Sequence, residues 1–90
     1  MTLNEFSRLA GRKLDLRLNI RTGFKICDLK PAFGVIFEDH LTGYDFWGHV
    51  DLDQMFGDIR QFITDDMLEK HHLISGYYHY VCGNFTLYKN

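Results

Sequence analysis

The densest run of potential ligands in the chain is His49-Val50-Asp51-Leu52-Asp53. Alternation along an extended backbone sets His49, Asp51 and Asp53 on one side, with His40 and Asp39 close in sequence, and an imidazole beside two carboxylates is a donor set for a divalent metal. Helix capping competes for the same acids. Asp51 and Asp53 open an apolar run at helical spacing, where a side-chain cap and a first-turn acid satisfy free amides. That leaves His49 alone, so metal binding ranks last and no cofactor is expected. His71 and His72, as adjacent helix residues, point about 100° apart and do not chelate one ion. Ser7 and Ser75 lie in no nucleophile elbow, and no glycine-rich loop resembles a phosphate cradle. Cys27 and Cys82, the only two cysteines, are too distant for a Cys-x-x-Cys pattern and read as buried free thiols. No catalytic set assembles, and an enzyme ranks below a binding protein as the reading of this chain.

Contact chemistry is better represented. Pairing Phe33–Asp39 with Tyr44–Val50 through the loop His40-Leu41-Thr42-Gly43 sets Phe37 against Phe46, Val35 against Gly48 and Phe33 against Val50 as a core face. The reverse face opposes Ile36 to Trp47, Gly34 to His49 and Glu38 to Asp45. Ile36 and Trp47 ringed by Glu38, Asp39 and Asp45 have the anatomy of a binding hot spot, an apolar anchor with an acidic rim. Tyr77 and Tyr88, on the outward side of a C-terminal hairpin, add a tyrosine-rich strip.

Charge is divided along the chain. Residues 1–30 hold seven Lys/Arg against three acids, whereas residues 31–76 hold nine acids against two bases. The near-neutral total of −2 hides segments of net +4 and −7, read from the same sequence. Such a division builds an oriented binding surface or two faces that pair with each other. Arg8, Arg12, Arg17 and Arg21 form the basic patch on which a nucleic-acid-binding reading rests. Against it stand the negative total and the absence of any recognisable nucleic-acid-binding motif.

These side chains need elements to hold them. Thr2-Leu3-Asn4-Glu5 is spaced as a capping box for a helix ending near Gly11. Strict alternation from Leu14 to Arg21 predicts a strand, followed by strands over Phe24–Leu29, Phe33–Asp39 and Tyr44–Val50. Leu52, Met55, Phe56, Ile59, Phe62 and Ile63 recur at helical spacing behind an Asp51 cap. Thr64 starts a further short helix through Met67 and Leu68. Gly83-Asn84 then joins Tyr77–Cys82 to Phe85–Lys89 as a two-residue hairpin, Tyr80 opposite Leu87 and Cys82 opposite Phe85.

The order α-β-β-β-β-α-α-β-β describes a single α+β domain over residues 1–90, an antiparallel sheet covered by two or three helices. With 46% hydrophobic residues and 14 aromatics among 90, the chain has the apolar material for one small core. No apolar run approaches membrane-spanning length and no signal-peptide core is present, so a cytoplasmic protein without membrane contact is expected. The function expected is a small stand-alone protein-binding factor of inhibitor, adaptor or immunity type, with a basic partner and a possible homodimer. Nucleic-acid binding comes second, and a small metal-dependent or ligand-binding enzyme around His49 third.

Overall fold

Thr2 starts the longest helix. Its hydroxyl accepts the Glu5 N–H at 3.2 Å while the Glu5 carboxylate accepts the Thr2 N–H at 2.6 Å, so the expected capping box forms and α1 spans Leu3–Leu14. These bonds to Thr2 hold the Glu5 carboxyl below its ordinary pKa. The helix continues past Gly11 and stops where Asp15 turns into the left-handed region (φ 52°) and returns its N–H to the Gly11 carbonyl.

The computed structural model describes residues 1–90, which group into two compact units, Met1–Gly43 and Tyr44–Asn90; each is described by itself. In the first, the core is Phe6 and Ala10 from α1 with Ile36. None of the three strands expected before residue 40 exists. The stretch after Leu14 runs irregularly to Thr22 because the left-handed turn at Asp15 redirects it and no neighbouring strand supplies a ladder; Leu18 and Ile20 still pack on the core while Leu16 stays exposed. Gly23–Ala32 is a 3₁₀ helix. Its Ile26, Leu29 and Ala32 all lie against the core, at the three-residue spacing that a three-residue turn stacks into one row. Phe33–Ile36 and Glu38–Leu41 form two single-turn helices, α2 and α3. Phe33 and Phe37, four apart, meet Phe6 in an aromatic triangle with centroids 5.6 to 6.3 Å apart. Helical spacing therefore buries more aromatic surface here than an alternating strand, each ring contact adding about 0.5–1.5 kcal/mol beyond its area.

The second unit holds the antiparallel sheet. β1 (Phe46–Val50) lies within the strand expected over Tyr44–Val50, and β3 (Phe85–Lys89) within the final one. The partner of β3 is not Tyr77–Cys82. β3 runs between β1 and β2 (Leu73–Ser75) in the order β1-β3-β2, so Leu87 faces Gly48 and Ile74 instead of Tyr80. Central placement satisfies both sides of β3, which a two-residue hairpin would leave half paired. Between the strands, Thr64 caps α4 (Asp65–Lys70) by accepting the Met67 N–H, as expected.

The amphipathic helix expected over 52–63 is reduced to a 3₁₀ turn, Ile59–Gln61, capped by Asp58. The Asp51 N–H donates to the Asn84 carbonyl at 3.0 Å, while the Asp51 carbonyl accepts the Gln54 N–H at 3.3 Å in a single turn. Gly57 within the run costs about 1 kcal/mol of helix propensity, and Leu52 and Met55 are fully exposed, so no burial offsets that cost. The α+β class with a three-stranded antiparallel sheet stands, although fewer strands build it than the sequence pattern implied.

Gly48 is the tightest point of the sheet. A Cβ there would sit 2.5 Å from the Thr86 carbonyl oxygen and 2.7 Å from the Leu87 side chain. Leu87 could rotate away, but the Thr86 backbone is fixed in the ladder. Gly48→Ala is therefore expected to cost about 1–3 kcal/mol, seen in thermal unfolding as a fall of at least several degrees; an unchanged midpoint would mean that the β1–β3 spacing is looser than described.

Candidate protein-binding surface

The alternation of β1, β2 and β3 sorts their side chains onto two faces. Registers Trp47↔Tyr88↔Leu73 and His49↔Thr86↔Ser75 put these six on one face. Trp47 and Tyr88 stack with centroids 4.3 Å apart and planes 12° from parallel. Tyr88 also stands 3.3 Å, hydroxyl to Nε2, from the buried His49, and burial raises its phenol pKa. Two residues expected at the contact site, Trp47 and Tyr88, are thus brought together as the ordered aromatic end of this face.

At its other end two hydroxyls tie down the loop that joins β2 to β3. Ser75 Oγ donates to the Tyr80 carbonyl at 3.0 Å and accepts the Cys82 N–H at 2.8 Å. Thr86, fully buried, donates to the Cys82 carbonyl at 2.7 Å. Backbone groups that a loop would otherwise leave to water are satisfied by the sheet itself. The consequence is outward projection of the bulky side chains between them. Tyr77 is 58% exposed, Tyr78 95%, Tyr80 60% and Val81 46%. The Tyr77 and Tyr80 rings stack at 4.9 Å, and Tyr78 meets His79 edge-on at 5.1 Å. Partial desolvation, then Tyr77 beside it, raises the Tyr80 phenol pKa. Tyr77 and Tyr78 also border an open groove of about 580 Å³ with Met67, His71 and Leu73.

The opposite face carries Phe46, Val50, Phe85, Leu87 and Ile74. There Phe46 and Leu68 floor a second groove, about 420 Å³, whose margin is Asp45, Asp65, Glu69 and Lys89. Three carboxylates therefore border two apolar side chains here, and of the acids expected around Ile36 and Trp47 only Asp45 is among them. Asp65 also receives the Arg60 guanidinium.

The remaining residues of the expected site lie in the first unit. Ile36 is only 1% exposed and belongs to the core, because residues 33–36 turn helically where the pairing with Trp47 required a strand. Glu38 and Asp39 are likewise no free rim: both hold the Lys13 ammonium, at 2.9 and 2.8 Å, and so fasten α3 to α1. Lys13 in turn holds the Asp39 carboxyl below its ordinary pKa. Arg8, Arg12, Arg17 and Arg21 are exposed, the first two one turn apart on α1 and the others on the irregular stretch after it. No three His, Cys, Asp or Glu side chains gather in a metal-binding cluster; Asp53 has left the strand alternation that was to align it with His49. Both cysteines are free thiols, Cys82 buried as expected but Cys27 exposed on the 3₁₀ helix.

Tyr78, Tyr80 and Val81, all exposed, are not among the contact residues expected from the sequence. The available signal was the unbroken run Tyr77-Tyr78-His79-Tyr80-Val81 between Gly76 and Gly83. Five consecutive large side chains without alternation fit poorly onto a half-buried strand.

A family model described as a family of unknown function, DUF6625, matches residues 1–90. The chain belongs to DUF6625. The match runs through both units of this DUF6625 chain, the strapped tyrosine loop included. No curated protein and no solved structure matches it, and no helix is long and apolar enough to cross a membrane.

Thr86→Val keeps the shape of the buried side chain but leaves the Cys82 carbonyl without its donor, a loss of about 1–3 kcal/mol. Amide exchange over residues 77–83 is expected to accelerate while that of α4 is unchanged. For the acid pair, Lys13→Met is expected to raise the Asp39 pKa toward its ordinary 3.8, read by carboxyl NMR. A carboxyl depressed in the folded state stabilises above its unfolded pKa, and that stabilisation is lost as pH falls through the depressed value. The variant is therefore expected to lose less stability than the parent on acidification below the ordinary carboxylate range.

Proposed function

We propose that this DUF6625 protein is a small protein-binding factor, an inhibitor or adaptor that acts by occupying a partner's surface through the aromatic and acidic features of its second unit. What carries the reading is the loop between β2 and β3. Water-exposed tyrosines are usually an entropic burden to order, yet here the backbone beneath them is already fixed by Ser75 and Thr86, so less ordering cost falls on binding. Tyrosine brings a large amphipathic area with few rotatable bonds, and is enriched where proteins meet.

Charge supports the choice of partner. Residues 44–90 carry seven acids and three Lys/Arg, and Asp45, Asp65 and Glu69 edge an apolar groove. A partner with Lys and Arg around an apolar projection complements that surface, and its encounter is accelerated at low ionic strength. Nucleic acid is less well served. In residues 1–43 seven Lys/Arg face five acids, and Lys13 is taken up by Glu38 and Asp39, which leaves little excess to neutralise phosphates.

The test compares the full chain with a Tyr78→Ala, Tyr80→Ala double variant. Both are used to capture protein from host lysate, the retained protein is identified by mass spectrometry, and its affinity for each is measured with purified components. Two hot-spot tyrosines are expected to be worth at least a tenfold loss of affinity, with the unfolding midpoint unchanged because neither side chain is buried. A partner retained equally by both proteins would remove the loop from the contact surface.

A further inference from the structure

We infer that β1 pairs edge to edge with β1 of a second copy of the chain, about a two-fold axis through Gly48, to give a six-stranded antiparallel sheet. The inference goes beyond the tyrosine loop and does not depend on it. Its basis is the hydrogen-bond phase of β1. The Asn90 N–H donates to the Asp45 carbonyl and the Asp51 N–H to the Asn84 carbonyl. In an antiparallel ladder, bonded pairs alternate with non-bonded ones. Hence Asp45, Trp47, His49 and Asp51 turn their main-chain groups toward β3, and Phe46, Gly48 and Val50 turn theirs away from it.

That outward row has none of the usual protections. Edge strands are commonly blunted by a charge, a proline or a bulge, whereas Phe46-Trp47-Gly48-His49-Val50 contains no Lys, Arg, Asp, Glu or Pro and pairs with β3 without a bulge. Gly48 and Val50 are exposed. The other edge, β2, is only three residues long, and so offers fewer main-chain bonds.

The row is also self-complementary. A two-fold at Gly48 sets Gly48 against Gly48 of the partner subunit and Phe46 against Val50 of the partner subunit, so that all three outward residues of each copy form bonded pairs. Trp47 then faces His49 of the partner subunit on one side of the sheet, and Phe46 meets an apolar side chain on the other. Shifting the axis to Trp47 would require Tyr44 to supply the end pair, but its carbonyl already accepts the Asn90 side-chain amide at 2.8 Å. The Gly48 axis carries one opposing feature, since Asp45 falls opposite Asp51 of the partner subunit at each end. Those carboxylates repel, and salt screens them. Association is therefore expected to strengthen with ionic strength, the reverse of an interface built on charge attraction.

Sedimentation of the full chain over about a hundredfold range of concentration is expected to show a monomer–dimer equilibrium that shifts toward dimer in added salt. Amide exchange supplies the site: the Phe46, Gly48 and Val50 N–H groups are expected to be protected only at concentrations where the dimer forms. Val50→Lys places a charge on the edge and Val50→Pro removes an outward donor without touching a bond to β3; either is expected to give a monomer with the parent's circular dichroism. A wild-type chain monomeric throughout would overturn the pairing, as would a dimer whose outward β1 amides exchange freely or one that survives both substitutions. Because the exchange measurement uses the unmodified chain, it decides the question even where a variant fails to fold.

Discussion

The second unit depends on β3, the five residues Phe85–Lys89, being paired on both sides. An isolated two-stranded hairpin is marginal in water, and a third strand supplies both main-chain bonds and a face wide enough to bury side chains. β1 comes from the start of the unit and β2 from its middle, so the central strand is the last to be made and closes contacts over long sequence separations. The same strand sets the surface chemistry. Tyr88 gives Trp47 its stacking partner, Thr86 gives the tyrosine loop its anchor, and Leu87 fills the space that Gly48 leaves empty.

In the first unit the corresponding constraint is aromatic packing around Phe6. Two single-turn helices are far below the length at which a helix is stable alone; α2 is held because Phe33 and Ile36 reach the core from it, with Phe37 packing there from the junction to α3. Lys13 adds an electrostatic tie between α1 and α3. It uses two of the acids that a purely linear count assigns to a binding surface. Opposite charges in neighbouring sequence segments thus serve local cohesion here.

The exposed face of the second unit joins features that sequence separation hides. Tyr77–Val81 project because hydroxyls at Ser75 and Thr86, eleven residues apart in the chain and opposite each other in the ladder, hold the loop backbone from both sides. On the reverse face Phe46 and Leu68 come together from a strand and a helix to floor the acidic groove. An outward-facing β1 edge lies beside both.

Local signals were legible where a few neighbouring residues decide the outcome. The Thr2–Glu5 capping box, the Thr64 cap of α4, the strand Phe46–Val50 and the strand Phe85–Lys89 follow from hydroxyl spacing or alternation within a short window, and with them the α+β class. Trp47 and Tyr88 share those strand windows, but the register that stacks them does not show in the sequence. Partner choice was not legible. Alternation over Leu14–Arg21 is compatible with a strand only if another strand lies alongside, and none does. The apolar spacing over 52–63 is compatible with a helix only if a surface covers it, and Leu52 and Met55 meet water. Residue types and short spacings determined which segments could be helix or strand; the tertiary structure alone decided which of them found a hydrogen-bonding or packing partner, because propensities of about 1 kcal/mol or less per residue yield to the larger free energy of burying a side chain.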